Sequence, residues 1–344
     1  MSDSKTSLPG GGVPGYTAYD LAMAALLSLF ALFSLAWPGS GTAELLGKAL
    51  PRGYLLGPLF ALLALGVALL GRLDLRGSPA PVRFVRTFYP QALFGPLFME
   101  SIRLSALPFG GLAHDGLFAA MDAAVFGYQP SVAFSAALHS NPFWNELMFG
   151  GYFSFYVILV VTAWIPWFKG DKEEAEREIA IFSFYMLFVY VFYVFFRVMG
   201  PKYWIPELAA SDYTEFPGGP VTAFMCFGLP RSVLSGAAFP SSHVAVSLMM
   251  CSFVAKTERR LLPLYGLLTL LIGLATVYIR AHWAADVAGG VLAAVVLVPL
   301  FDRLRAPAQA LADRASALAG LGAARSPGAR RVAAPRAEAE AGQR

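Results

Sequence analysis

The sequence predicts an all-α protein: a polytopic transmembrane helix bundle of about eight spans. Three observations carry that prediction. Of 344 residues, 57% are hydrophobic and only 14% charged, with a mean hydropathy of +0.59, whereas a soluble domain carries about a quarter charged residues. The apolar residues are grouped into runs of bilayer-crossing length rather than scattered. The basic residues sit between those runs in clusters: Arg72, Arg76, Arg83 and Arg86; then Lys256, Arg259 and Arg260; then Arg303, Arg305, Arg314 and Arg325. The positive-inside rule places all three clusters on the cytoplasmic face.

Taken in order, residues 1–19 contain Gly and Pro and no basic stretch joined to an apolar core, so they read as a cytoplasmic segment without a cleavable signal peptide. Apolar runs follow at 21–37 and 54–71. The stretch 84–104 holds Arg86, Pro90, Pro96, Glu100 and Arg103. Its polar groups are tolerable at membrane depth only if they face protein. The alternatives are a span and a re-entrant piece at the interface; it is read as a span because a crossing there is what puts every basic cluster on one side. Residues 108–146 then lie outside as short interfacial helices. A run at 152–168, a densely charged loop at 169–178 and a run at 179–199 come next. Residues 200–239 return to the outer face. The runs 243–255, 261–279 and 287–301 close a membrane domain of 20–301. From 302 to 344 the chain is Ala-, Arg- and Pro-rich without apolar periodicity, and is read as a disordered basic cytoplasmic tail suited to anionic lipid headgroups. Cys226 and Cys251 are unpaired in this reading, one in a loop and one in a span. The net charge of +4 makes no case for nucleic acid.

Chemistry concentrates in two stretches, Phe239-Pro240-Ser241-Ser242-His243 and Tyr278 through Asp286, which hold two of the chain's 4 histidines. Ionisable residues at membrane depth are costly and mark functional sites. The helix running down from His243 and the one returning to Arg280 each cover about one hydrocarbon thickness, so a short basic turn at 256–262 brings both histidines to the same face. Ser241 and Ser242 after Pro240 read as a helix start, whose free N–H groups attract phosphate oxygens. His282 and Asp286 are spaced i,i+4 and share a helix face. A carboxylate there fixes the imidazole tautomer and leaves the other nitrogen nucleophilic. Arg280 supplies a permanently charged fork suited to phosphate, and Arg197 and Lys202 add cationic charge from the end of the preceding span. His243 stands ready to protonate a leaving oxygen. His114 and His139, without a matching motif, read as surface or structural residues. Asp115 and Asp122 read either as helix caps or as the rim of an entrance, and Arg231 as a headgroup contact or a lipid contact.

The paired motifs resemble the second and third signatures of the type 2 phosphatidic acid phosphatase superfamily of integral membrane enzymes. Its common form has Pro-Ser-Gly-His, then Ser-Arg, five residues, His, three residues and Asp. Here Ser242 replaces the glycine and Thr276 stands where the arginine would be. Arg280, two positions before His282, fits better a branch resembling inositol phosphorylceramide synthase, as do Asp115 to Pro130 and Gly200-Pro201-Lys202. The first superfamily signature is not recognisable, which leaves Lys202 as its best substitute. The resemblance implies a phosphohistidine intermediate at His282 oriented by Asp286, His243 as general acid, no metal or other cofactor, a lipid phosphate substrate, and an alcohol or headgroup acceptor if transfer replaces hydrolysis.

Two other classes compete. His243, His282 and Asp286 also make a three-ligand zinc set with an open position, although Arg280 beside it disfavours a dication. A non-catalytic transporter or scaffold would carry polar residues repeated through its other spans, and these are lacking. The short loops suit a bacterial inner membrane, with the site facing the periplasm.

Overall fold

The computed structural model of the protein describes residues 15–39, 42–45, 48–73, 78–209, 213, 215–228 and 235–321. Arg76, Arg231, Arg325 and residues 1–14 lie outside the described residues. Chain order is α1 (Ala18–Ala36), a two-stranded antiparallel hairpin (Thr42–Leu45 and Lys48–Pro51), α2 (Gly53–Leu70) and α3 (Ala80–Ser105). After a 3₁₀ turn at Pro108–Gly111 come α4 (Asp115–Phe126), α5 (Pro130–Leu138), α6 (Pro142–Val161), α7 (Trp164–Phe168) and α8 (Lys172–Phe195). Short helices α9 (Pro201–Trp204), α10 (Pro206–Ala209) and α11 (Pro220–Gly228) lead to α12 (Ser242–Thr257), α13 (Leu262–Tyr278) and α14 (Ala284–Leu318).

Among the described residues six helices are long and apolar enough to cross a membrane: α1, α2, α6, α8, α13 with its preceding turn, and α14. The chain is an integral membrane helix bundle. The other two expected spans are also long helices. α3 is continuous despite Pro90 and Pro96, and it turns its charges inward. Arg86 donates to Asp20 at 2.9 and 2.5 Å, and Tyr89 donates to the same carboxylate at 2.8 Å. Glu100 accepts from Ser34 at 2.9 Å and from Arg103 at 2.9 and 2.5 Å. No water competes for these groups in lipid, so each must find its partner within protein. Asp20 also closes a capping box with Thr17 at the start of α1.

α8 is the central helix. Its Ile181, Phe182, Tyr185, Met186, Val189, Tyr190 and Tyr193 are all buried, and α1, α3 and α14 pack around it. α2 rests on α1 and leaves most of its surface to lipid. α12 lies between α6, α13 and α14.

Three boundaries differ from the sequence reading. The charged loop expected at 169–178 is mostly helix, because Asp171 accepts from the Glu174 N–H at 3.1 Å and starts α8 there. The span expected to begin at 152 starts at Pro142, capped by Asn141, so α6 reaches into the outer segment. The tail expected to be disordered from 302 continues as α14 through Leu318. There Asp302 pairs with Arg177 at 3.0 Å and with Lys256 at 3.3 Å, and Ser316 and Gln309 accept from the Tyr16 and Ala18 N–H groups at the start of α1. Residues 322–344 lie outside the described residues.

Candidate active site

The α12–α13 hairpin returns the two histidines to one end of the bundle, opposite the basic turn, with ring centroids 5.6 Å apart. Ser241 caps α12, its Oγ accepting from the Val244 N–H at 3.5 Å. Pro240 precedes that cap rather than occupying the first turn, and its carbonyl accepts from the Tyr193 hydroxyl at 2.7 Å. The Ser241 N–H donates to the Asp286 carbonyl at 3.1 Å, which sews the first motif directly onto the second. Such an approach requires small residues on α14. A Cβ on Gly290 would stand 2.7 Å from the Ser241 carbonyl oxygen, and one on Gly289 would stand 2.2 Å from the Phe239 ring.

His282 is held by its neighbours in one tautomer. Nδ1 lies 2.8 Å from the Ala238 carbonyl oxygen. A carbonyl only accepts, so Nδ1 carries the proton. Nε2 is left as the lone-pair nitrogen, with the Ser241 hydroxyl at 3.5 Å. Asp286 Oδ2 stands 3.6 Å from Nδ1, beyond a good hydrogen bond. That oxygen accepts instead from the Trp283 N–H at 2.9 Å, and Oδ1 has no partner. The carboxylate is therefore a close negative neighbour of the imidazole, while a backbone carbonyl does the tautomer-setting expected of it.

His243 is gripped between Tyr152 and Phe155 of α6, with ring centroids 4.5 and 4.4 Å away. Both of its ring nitrogens are buried without a hydrogen-bond partner, although buried polar groups are nearly always satisfied. His243, His282 and Ser242 face a cavity of about 390 Å³ that runs on between α3 and α6. Tyr203 also lines it, and burial pushes its phenol up to about 12.

The scaffold behind this pair comes from the outer helix α4. Asp115 accepts from the backbone N–H groups of Met199 and Gly200 at 2.8 Å each, and from the Trp283 indole at 2.9 Å. Asp122 accepts from the Ala284 and Ala285 N–H groups at 2.9 Å each, capping α14 from outside. Of the two roles open to these aspartates, capping is the one the structure displays. Gly200, at φ +84°, approaches the Ala281 carbonyl so closely that a Cβ would stand 2.2 Å from it.

The three expected cations do not join the cluster. Arg280, itself at φ +63°, points toward α5. It donates to Ser135 at 3.0 Å and to Glu215 at 2.9 Å, and its guanidinium lies 5.1 Å from the Phe216 ring centroid. Lys202 is buried, bonds the Leu208 carbonyl at 2.5 Å and sits 4.9 Å from the Tyr213 ring. Arg197 donates to the Gly111 carbonyl at 2.9 Å. His114 stacks on Phe196 at 4.4 Å, and His139 is at the surface of the outer layer. Sequence reasoning missed the aromatic clamp, the Ala238 carbonyl and Glu215. The signal for α4 was present: Asp115 and Asp122 are seven residues apart, two turns on one helix face.

The family model of the PAP2 superfamily matches residues 118–300, more than half of the chain, and that stretch contains both histidine motifs, Asp122 and Asp286. The chain belongs to the PAP2 superfamily. No curated protein and no solved structure matches it. The match begins inside α4 and ends inside α14, so α1, α2 and α3 precede the part that the PAP2 superfamily defines. α3 nevertheless supplies one wall of the cavity in front of the histidines. Membership supports a phosphatase-type activity on lipid phosphates in a membrane.

Proposed function

We propose that the chain cleaves a lipid phosphate ester through a phosphohistidine at His282, as a phosphatase or as a phosphotransferase of the inositol phosphorylceramide synthase type. The observation that carries this reading is the unsatisfied His243 ring, facing a shared cavity 5.6 Å from His282, whose Nε2 is left free to attack. In the first step Nε2 attacks phosphorus and the bond from phosphorus to the lipid oxygen breaks. Protonated His243 gives its proton to that oxygen. In the second step His243 takes a proton from water or an alcohol, whose oxygen attacks phosphorus and frees Nε2. Asp286 stabilises the imidazolium character that develops on His282. Ser241, Ser242 and the open N–H groups at the start of α12 receive phosphoryl oxygens; Arg280 is the cation that reaches them, while Lys202 and Arg197, bonded to backbone carbonyls, contribute only positive charge at a distance. Arg280 does so by exchanging Glu215 for the phosphate. No metal takes part. The membrane is a bacterial-type inner membrane, with the histidine end facing the periplasm and the basic end the cytoplasm.

Purified protein in detergent, given a panel of radiolabelled lipid phosphates with and without inositol-type and ceramide-type acceptors, tests this reading. Label should appear as inorganic phosphate or in a new lipid, unaffected by EDTA, and should vanish in His282→Ala. Near-wild-type turnover by that variant would overturn the mechanism. Loss with EDTA that zinc restores would replace it with a metal-dependent one. Inorganic phosphate as the sole product with every acceptor would make the protein a phosphatase alone.

A further inference from the structure

The cavity in front of the histidines is deeper than a phosphate requires. One wall is a strip of α3 from Gln91 to Met99 and the other a strip of α6 from Tyr152 to Val160. Eight residues of helix span about 12 Å, so the space continues well below the reacting atoms into the membrane. Beneath His243 its surface is mainly apolar, from Phe94, Phe98, Phe155, Leu159 and Val160. The lining ends at a cross-link between the two walls: Gln91 Nε2 donates to the Leu159 carbonyl at 2.9 Å and the Val160 carbonyl at 3.4 Å. Both carbonyls belong to the last turn of α6, where helix carbonyls lack intrahelical partners. Halfway up, Gly95 lines the space where it opens sideways to the exterior: the residue is exposed, and nothing lies within 4 Å of where its Cβ would sit.

We propose that this cavity is a slot of fixed depth for a single apolar chain of the substrate, with Gln91 as the residue that sets how long a chain is read and Gly95 as the residue that keeps the slot open. The proposal rests on the histidine pair being the phosphoryl-transfer centre, because that pair fixes where the chain begins. A phosphate at His282 directs its chain downward between α3 and α6. Each methylene that leaves water for the slot contributes until the chain meets the Gln91 bridge. Gln91 and Gly95 are specificity-determining residues that touch the chain and not the reacting atoms.

The test is binding and turnover of monoalkyl phosphates from butyl to hexadecyl, with the matching alkyl phosphonates, which have no cleavable ester, as binding probes. In the wild-type protein each added methylene should tighten phosphonate binding by about fourfold, the equivalent of about 0.8 kcal/mol, until the series flattens at the chain length that reaches Gln91. A series that is flat from the start, or rises without a break, overturns the proposal. Gly95→Phe should move the break to shorter chains and weaken the long phosphonates at least tenfold, as expected when two or more methylenes are displaced. It should lower turnover of the long-chain esters by a larger factor than turnover of butyl phosphate. Gln91→Ala should move the break to longer chains. Unchanged breaks in both variants would sink the slot. Because the phosphonates report the slot without chemistry, absence of turnover on every ester would count against the catalytic reading alone.

Discussion

Replacing Asp122 with Ala separates positioning from chemistry, since the residue touches neither histidine. Its carboxylate takes two backbone N–H groups at the start of α14 at 2.9 Å each, and its side chain is buried. Hydrogen bonds to a charged group contribute about 1.5–3 kcal/mol each, and loss of a helix cap costs about 1 kcal/mol overall. Some of the orphaned donors will recruit water, so a loss of about 3 kcal/mol is expected. The damage is local. Asp286 lies one residue beyond Ala285, its carbonyl holds the Ser241 N–H at 3.1 Å, and its carboxylate neighbours His282 at 3.6 Å. Displacing that turn should lower kcat at least tenfold, while KM for a lipid phosphate changes less. Asp122→Asn keeps one good acceptor and should lose about half as much stability. The assay is unfolding in mixed micelles at increasing SDS fraction, run beside phosphate release. Asp122→Ala within about 0.5 kcal/mol of wild type and equally active would refute the view that α4 organises the site.

Three further outcomes follow from the same geometry. His243→Ala should slow phosphate release by ~10²–10⁴, the usual worth of a general acid, and the loss should shrink for substrates with good leaving groups such as p-nitrophenyl phosphate; equal losses on both would remove His243 from the acid role. Glu215→Gln removes the carboxylate that occupies Arg280, an ion pair at 2.9 Å whose acidic partner is 28% exposed. A partly exposed pair of this kind contributes up to about 1 kcal/mol, so orthovanadate inhibition should tighten by up to about fivefold, and unchanged inhibition would show that Arg280 does not meet the phosphate. For sidedness, a cysteine at Ser235 should react with a membrane-impermeant maleimide in intact cells and one at Arg260 should not; the reverse pattern would invert the orientation.

The bundle was legible because bilayer length and apolar grouping act over whole helices: α1, α2, α13 and the hairpin carrying the histidines all lie close to where composition puts them. The ends were harder to read. Asp171 is one charged residue among several, and nothing local distinguishes the aspartate that starts α8 from those that merely follow it. α14 outlasts its apolar run because its later turns bind Arg177, Lys256 and the chain before α1, contacts that only the folded molecule creates. At the site, the meeting of His243 with His282 followed from counting residues across a hairpin. Their surroundings did not. Tyr152 and Phe155 look like any apolar pair on α6, and the Ala238 carbonyl has no signature at all. Arg280 reads as a phosphate ligand from its spacing, yet its left-handed backbone and its bond to Glu215 aim it away from the cavity.

These departures fit together when the site is viewed as waiting for an anion. An unpartnered imidazole between two aromatic rings is an expensive arrangement, since each buried unsatisfied group costs about 1–3 kcal/mol. A positive charge there would cost more unless a negative group stood beside it. A phosphate placed at His282 supplies that group, so on the proposed mechanism His243 becomes a competent acid only in the presence of the substrate it must protonate. On the same proposed mechanism the phosphate competes with Glu215 for Arg280, so that charge would be assembled around phosphorus at the moment of binding rather than held there in advance. Such a site discriminates poorly among phosphates by charge alone. Discrimination then falls to the apolar space below, where an alkyl chain displaces water and a free phosphate ion gains nothing. The protein's preference for lipids should therefore reside in part in α3, outside the residues that the PAP2 family model matches, and exchanging the residues at 91 and 95 should change which lipid is cleaved without changing how.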